Sequence, residues 1–487
     1  MSKENKDISK RYVNDLRRFG YTQSQVVTQR SSFMLIGIAV LFLLGVASAV
    51  LGFVVQEQSE ALVLVAAAVI GGYMAMNIGA NDVANNMGPA VGGKVLTVAT
   101  AVIIAAICET AGALLAGGDV VKTVAKGIVS PGESIDVATF QFMMLSALLA
   151  AALWINLATI LNAPVSTTHS IVGGVLGGGI GAAGFAVVNW GTMSKIAASW
   201  VISPVFGGVV AACLLFFIEK RILNAPDRLV GARRWVPILV GLMGAAFTAY
   251  MAIKGLKKIM KVEVTDIITY SVLAFFASWY LARPYIAKKI TQLKDDSKKQ
   301  VYKLFNLPLI IGVALLSFAH GANDVANAVG PLAAIVSTLG DSSSLASKVS
   351  IPLWVMVIGA LGIALGLALF GPKLIATVGE KITRLNSPRA YCVALSSAIT
   401  VLIATYLGLP VSSTHIAIGA IFGVGFLREF LESPKAKDQK DLQSDQVRKP
   451  RQLVRRRFVF SIAAAWVITV PASAILSASI YHVLILL

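Results

Sequence analysis

One phrase is written twice in this chain, at a depth where polar residues are hard to accommodate. Residues 79–89 read Gly-Ala-Asn-Asp-Val-Ala-Asn-Asn-Met-Gly-Pro, and residues 321–331 read Gly-Ala-Asn-Asp-Val-Ala-Asn-Ala-Val-Gly-Pro. Each copy follows a long apolar run, 61–78 and 304–319. Amides and a carboxylate inside a membrane are expensive, so their presence calls for a functional reason. A matched pair, one in each half, predicts an internally repeated fold with a site where the repeats meet.

Composition places those runs in a bilayer. Only 14% of the 487 residues are charged and 56% are hydrophobic, with a mean hydropathy of +0.77. A soluble domain carries about 25% charged residues. Thirteen runs approach the ~20 residues needed to cross: 33–55, 60–80, 98–117, 137–162, 165–187, 195–218, 236–253, 264–282, 304–320, 349–370, 389–408, 411–427 and 458–486. The first is too long for a signal-peptide core and lacks a small-residue cleavage site, so it reads as a retained helix. The net charge of +18 sits in the loops, as positive-inside topology requires, and not on a nucleic-acid face. Alternate loops hold 33 Lys and Arg against 7 on the other side, which puts the N-terminus in the cytoplasm. Lys254, Lys257, Lys258 and Lys261 are the one misplaced cluster. Segment 428–457 is charged and reads as disordered or frayed helix. Cys108, Cys213 and Cys392 lie in apolar runs with no paired spacing, so neither disulfide nor metal is indicated.

The repetition extends beyond one phrase. Asn162-Ala-Pro-Val-Ser-Thr-Thr-His169 returns as Gly408-Leu-Pro-Val-Ser-Ser-Thr-His415. The phrases recur at offsets of 242 and 246 residues. Each half carries five spans, an odd number, and two spans link them, so the halves cross in opposite senses. The expected fold is an all-α integral membrane protein of two inverted-topology repeats with broken helices and 12–13 spans. Residues 1–59 form a tail and an extra helix, 60–218 the first repeat, 219–303 a linker, and 304–487 the second repeat.

The residue types suit ions. Gly79 and Pro89, like Gly321 and Pro331, are expected to break the helix between them and free carbonyls. Asn81 and Asn85 share a helix face, as do Asn323 and Asn327. Their amide oxygens are hard ligands for a small cation, and Asp82 and Asp324 supply balancing charge. Interhelical hydrogen bonding would use the amides but needs no carboxylate in both halves. In the second phrase, proline and hydroxyls favour a helix start. A helix start inside the membrane is an anion site, and Ser166, Thr167, Thr168, Ser412, Ser413 and Thr414 add donors. Glu109 stands alone in an apolar span, with no acid in the matching stretch Val355–Gly366. His169 and His415 are proton carriers or braces of the helix starts. His320 has only Ile78 opposite it, which argues against a shared role.

These four motif copies, in this order, resemble the inorganic phosphate transporter (Pit-type) family over residues 60–480. The resemblance implies import of inorganic phosphate by cation-coupled symport, with sodium preferred, and no catalysis. It also implies a membrane-embedded and often dimeric carrier of the bacterial inner membrane. Phosphate is assigned to Ser166, Thr167, Thr168, Ser412, Ser413, Thr414, Asn85 and Asn327. The cation is assigned to Asn81, Asp82, Asn323 and Asp324, with Glu109, His169 and His415 as coupling candidates. Ala394 stands where some relatives carry a functional glutamate. Proton-coupled symport of phosphate, metal phosphate or sulfate is the alternative. A hydrolase using Ser166, His169 and Asp82 is disfavoured, because the same set occurs in both halves.

Overall fold

The structure, a computed structural model, describes residues 33–55, 58–129, 135–161, 165–255, 263–339, 351–381, 385–438 and 456–486. In a bilayer the backbone must satisfy its own polar groups, which leaves apolar runs the helix as their solution. The helices are α1 (Phe33–Phe53), α2 (Gln58–Gly92), α3 (Val98–Ala116), the short α4 (Gly118–Lys122), α5 (Val137–Ile160), α6 (Thr167–Ala183), α7 (Trp190–Ile218) and α8 (Arg228–Lys254). They continue with α9 (Val264–Ile290), the short α10 (Lys298–Tyr302), α11 (Asn306–Val336), α12 (Leu353–Lys381), α13 (Ser387–Tyr406), α14 (Ser413–Asp438) and α15 (Arg456–Leu484). Polar side chains mark where several begin. Thr97, Asp136, Asn189, Asp227 and Asn386 each accept a hydrogen bond from the backbone N–H three residues on, the usual N-cap.

Among the described residues, twelve helices are long and apolar enough to cross a membrane. The thirteenth expected span, 165–187, is α6, whose 17 residues reach about 25 Å. It does not act alone. Asn189 donates to the Ile128 carbonyl at 2.9 Å, and Val129 bridges to Val188. The chain ahead of α5 and the chain after α6 therefore meet, and α5 and α6 form a hairpin. Of the two readings of 428–457, disordered or frayed helix, its ends are helical, since α14 runs to Asp438 and α15 begins at Arg456; 439–455 lies outside the described residues.

The duplicated Gly-to-Pro phrases do not break their helices. α2 continues through Gly79 and Pro89, and α11 through Gly321 and Pro331. Helices packed on both sides hold the backbone that a proline loosens. The glycines serve contact instead. A methyl at Gly79 would lie 2.0 Å from the Ile363 carbonyl oxygen of α12, and one at Gly366 would lie 2.0 Å from that of Met76. The mirror contact joins Gly321 to Glu109 and Gly112 to Phe318, at 2.1 and 2.0 Å. Small residues let membrane helices approach this closely.

The main pairings come in matched sets: α2 with α12 and α11 with α3, then α6 with α15 and α14 with α7. Each joins a helix of one half to a helix of the other, so the halves are interleaved. α8 and α9 pack chiefly on each other.

Gly112→Ala should force α3 from α11, because the blocking atom is backbone. Overpacking of this kind costs about 1–3 kcal/mol. Thermal unfolding in detergent should show a lowered midpoint. Gly37→Ala, which meets nothing within 4 Å, should leave it unchanged.

Candidate functional site

The two Pro-Val-Ser phrases end in helix starts that face each other. Ser166 caps α6 by accepting from the His169 N–H at 3.1 Å, and Ser412 caps α14 by accepting from His415 N–H at 3.3 Å. The rings of His169 and His415 lie 4.8 Å apart, edge to face. His169 also stacks on Trp200 at 3.8 Å and meets Ser166 Oγ through Nδ1 at 2.7 Å. Trp200 in turn donates to the Pro410 carbonyl at 3.2 Å. Two helix N-termini with their positive dipole ends are thus held nose to nose by aromatic packing.

The duplicated aspartates lie against these helix starts. Asp82 and Asp324 are buried, 1% and 0% exposed. Thr167 of α6 donates to Asp82 Oδ2 at 3.0 Å and lies 3.4 Å from Asp324 Oδ2. Thr414 of α14 donates to Asp82 Oδ1 at 3.1 Å, and Ser413 reaches Asp324 Oδ2 at 3.4 Å. Hydroxyls from the starts of α6 and α14 therefore converge on carboxylates from α2 and α11.

The asparagines repeat one pattern twice. Asn81 donates to Thr159 and Asn323 to Thr405, at 3.1 and 3.0 Å. Asn85 donates to Thr414 at 2.8 Å, and Asn327 donates to Thr168 at 3.1 Å. The second pair crosses between halves. Their amide nitrogens make these contacts, whereas the sequence reading used the oxygens. Asn323 Oδ1 accepts from the Val411 N–H at 3.1 Å, which pins the turn ahead of α14. Thr168 grips the same turn, donating to the Val411 carbonyl at 2.9 Å. Of the assigned set, Ser166 and Ser412 are spent on capping.

At the centre lie His320, which the sequence reading discounted, and Asn86, which it left unassigned. His320 is fully buried, with Nε2 3.0 Å from Asp324 Oδ2 and 3.6 Å from Asp82 Oδ2. Its Nδ1 is 3.1 Å from Glu109 Oε2. Asn86 donates to Glu109 Oε1 at 2.9 Å. Glu109 is thus not isolated; α3 carries it to the aspartates. The only signal for His320 was its place directly before the duplicated phrase.

A clamp lies at the turn after α13. Gly408 has a φ of +67° and offers its carbonyl to Thr123 Oγ1 at 2.7 Å. Lys254, at the end of α8, sits 2.5 Å from Asp119 Oδ2, donates to the Tyr406 carbonyl at 2.9 Å and lies over the Tyr406 ring. The lysine that broke the charge rule is therefore a tether. Lys257, Lys258 and Lys261 fall outside the described residues.

Taken together, the centre offers carboxylates to a cation and oriented hydroxyls plus helix N-termini to an oxyanion. Thr414→Val would remove the 2.8 Å partner of the half-buried Asn85 amide and one donor to the buried Asp82 Oδ1, leaving these two only a long 3.5 Å contact with each other. An unpaired buried polar group costs about 1–3 kcal/mol, so unfolding of the substrate-free protein should move down by that order. Thr269→Val, whose hydroxyl bonds only within its own exposed helix turn, should not shift it.

Comparison with known proteins gives a consistent result. The model of the "Phosphate transporter family" matches residues 78–477. A provisionally named phosphate permease of Helicobacter pylori strain J99 is 53% identical over 398 residues, 81% of this chain and 74% of that one. One from Thermococcus kodakarensis, named with the same reservation, is 36% identical over 421 residues, covering 86% and 97%. Among solved structures, "The sodium-dependent phosphate transporter" aligns with a TM-score of 0.79 and 36% identity, over 87% of this chain and 99% of that chain.

Proposed function

The chain belongs to the phosphate transporter family, an integral membrane transporter and not an enzyme, and within that family we propose that it imports inorganic phosphate by symport with sodium. The supporting observation is that the donors suited to phosphate are hydrogen-bonded to the carboxylates suited to a cation. Thr167 and Thr414 both donate to Asp82. With no cation the carboxylates hold those hydroxyls and repel an anion. Sodium at Asp82 and Asp324 removes the repulsion and frees the hydroxyls to turn toward phosphate. Each substrate then improves the site for the other, which is what coupling requires. Serine and threonine oxygens, carboxylates and amides are hard ligands that suit an alkali cation. The solved relative named for sodium dependence supports the same ion.

In this reading phosphate is held by Thr167, Thr168, Ser413 and Thr414 with the helix starts behind Ser166 and Ser412, and Asn85 and Asn327 orient them. Sodium takes Asp82 and Asp324, with Asn81 and Asn323 fixing the hairpin ends. The matched pairings fit two inverted repeats rocking about this centre. The N-terminus lies in the cytoplasm of a bacterial inner membrane, where the basic loops belong. Self-association into a homodimer is part of the same proposal.

Labelled phosphate uptake into proteoliposomes at fixed pH tests the ion. Replacing sodium by choline should abolish accumulation, and an imposed pH gradient should not restore it. Asp82→Asn should lose gradient-driven accumulation while phosphate exchange at equilibrium falls less. Undiminished uptake in choline, driven instead by the pH gradient, would replace sodium with the proton.

A further inference from the structure

We propose that Asp82, Asp324 and His320 form a binding site for a first-row divalent transition metal such as Zn²⁺ or Co²⁺, and that the metal arrests transport. One oxygen of each aspartate and the imidazole Nε2 lie within 4.8 Å of one another, all buried. Nε2 is 3.0 Å from one carboxylate oxygen and 3.6 Å from the other. Four-coordinate zinc, with ligands at 2.0–2.1 Å, sets neighbouring ligand atoms about 3.3 Å apart. The two imidazole-to-carboxylate spacings bracket that value. Thr167 Oγ1, 3.0 Å from Asp82 Oδ2, or a water completes the set.

The identity of the ligands selects the metal. Imidazole is a ligand for zinc, copper, iron and nickel, whereas hard cations prefer oxygen alone. A sodium site gains nothing from His320. A metal-binding histidine, however, is oriented by a carboxylate on its other nitrogen, and Glu109 Oε2 stands 3.1 Å from Nδ1, with Asn86 holding the far oxygen at 2.9 Å. The inner and outer partners of a zinc site are both present. The hydrogen-bond geometry agrees. His320 Nδ1 and Nε2 and Glu109 Oε2 meet only each other and the two aspartates, at 3.0–3.6 Å and without well-directed hydrogen bonds, and the buried Asp324 Oδ1 has no hydrogen bond among the described residues, an arrangement with room for a ligand.

These residues are also the part of the centre that the duplication does not explain. Ile78 stands opposite His320 and Ala328 opposite Asn86, and Val355–Gly366 holds no acid to match Glu109. Phosphate and sodium chemistry is carried by matched pairs; this network is single.

The metal site itself stands on geometry independent of the sodium reading, while the arrest of transport rests on it, because a metal held by both aspartates leaves none for the coupling ion. Tag-free purified protein is titrated with Co²⁺ in sodium-free buffer. One equivalent should bind, with the intense visible absorption of a four-coordinate site, and Zn²⁺ should bleach it. His320→Ile, the residue of the other half, should weaken binding at least 100-fold. Glu109→Gln, which keeps every ligand, should weaken it by about 10–100-fold and guards against misfolding of the first variant. Failure to bind Co²⁺ below millimolar, or wild-type binding by His320→Ile, overturns the site. In proteoliposomes, micromolar Zn²⁺ should block uptake and rising sodium should relieve the block. Co²⁺ binding that sodium cannot displace would keep the metal site, overturn the arrest and count against sodium at these aspartates.

Discussion

The hydrogen bonds from hairpin hydroxyls to the buried aspartates organise everything else in this molecule. Two unshielded carboxylates in a bilayer interior are costly, and here helix starts and threonine hydroxyls answer that cost. To deliver them, α6 and α14 must begin inside the protein, which requires hairpins, caps at Ser166 and Ser412, and tightly held turns. The aromatic stack of His169, His415 and Trp200 then keeps the two starts in register.

Interleaving is the second requirement. A site built from both halves holds its shape only if the halves cannot drift apart. The glycine contacts at Gly79, Gly366, Gly112 and Gly321 lock each long motif helix to a helix of the opposite half. Membrane helices gain no hydrophobic drive from packing on one another, so close van der Waals contact supplies the cohesion. The glycine in each signature phrase thus serves packing, while the asparagine and aspartate beside it serve the site.

Sequence revealed what is duplicated and concealed what is not. The motif pairs, their helical setting and their convergence followed from the two duplicated phrases. The continuity of α2 and α11 did not, because a glycine that permits a break and a glycine that permits contact look alike until the neighbour is known. Glu109 read as solitary because its partners, His320 and Asn86, are 211 and 23 residues away and meet it only when α3 packs on α11 and α2. His320 was discounted for lacking a counterpart in the other half. Duplication is a sound guide to shared chemistry and a poor one to chemistry that a single half adds. Lys254 offended a charge rule because its partner, Asp119, lies 135 residues earlier.

That lysine has a further consequence. Were the two halves identical and inverted, a two-fold rotation in the membrane plane would turn the carrier open to one side into the carrier open to the other, with equal free energy. Lys254 comes from α8, outside either half, so nothing can mirror its hold on Asp119 and the Tyr406 carbonyl. Any contact present in only one orientation tilts the balance, and about 1.4 kcal/mol suffices for a tenfold preference. Under the proposed symport by two inverted repeats, a contact of this kind, supplied by a linker helix, gives the carrier a resting side.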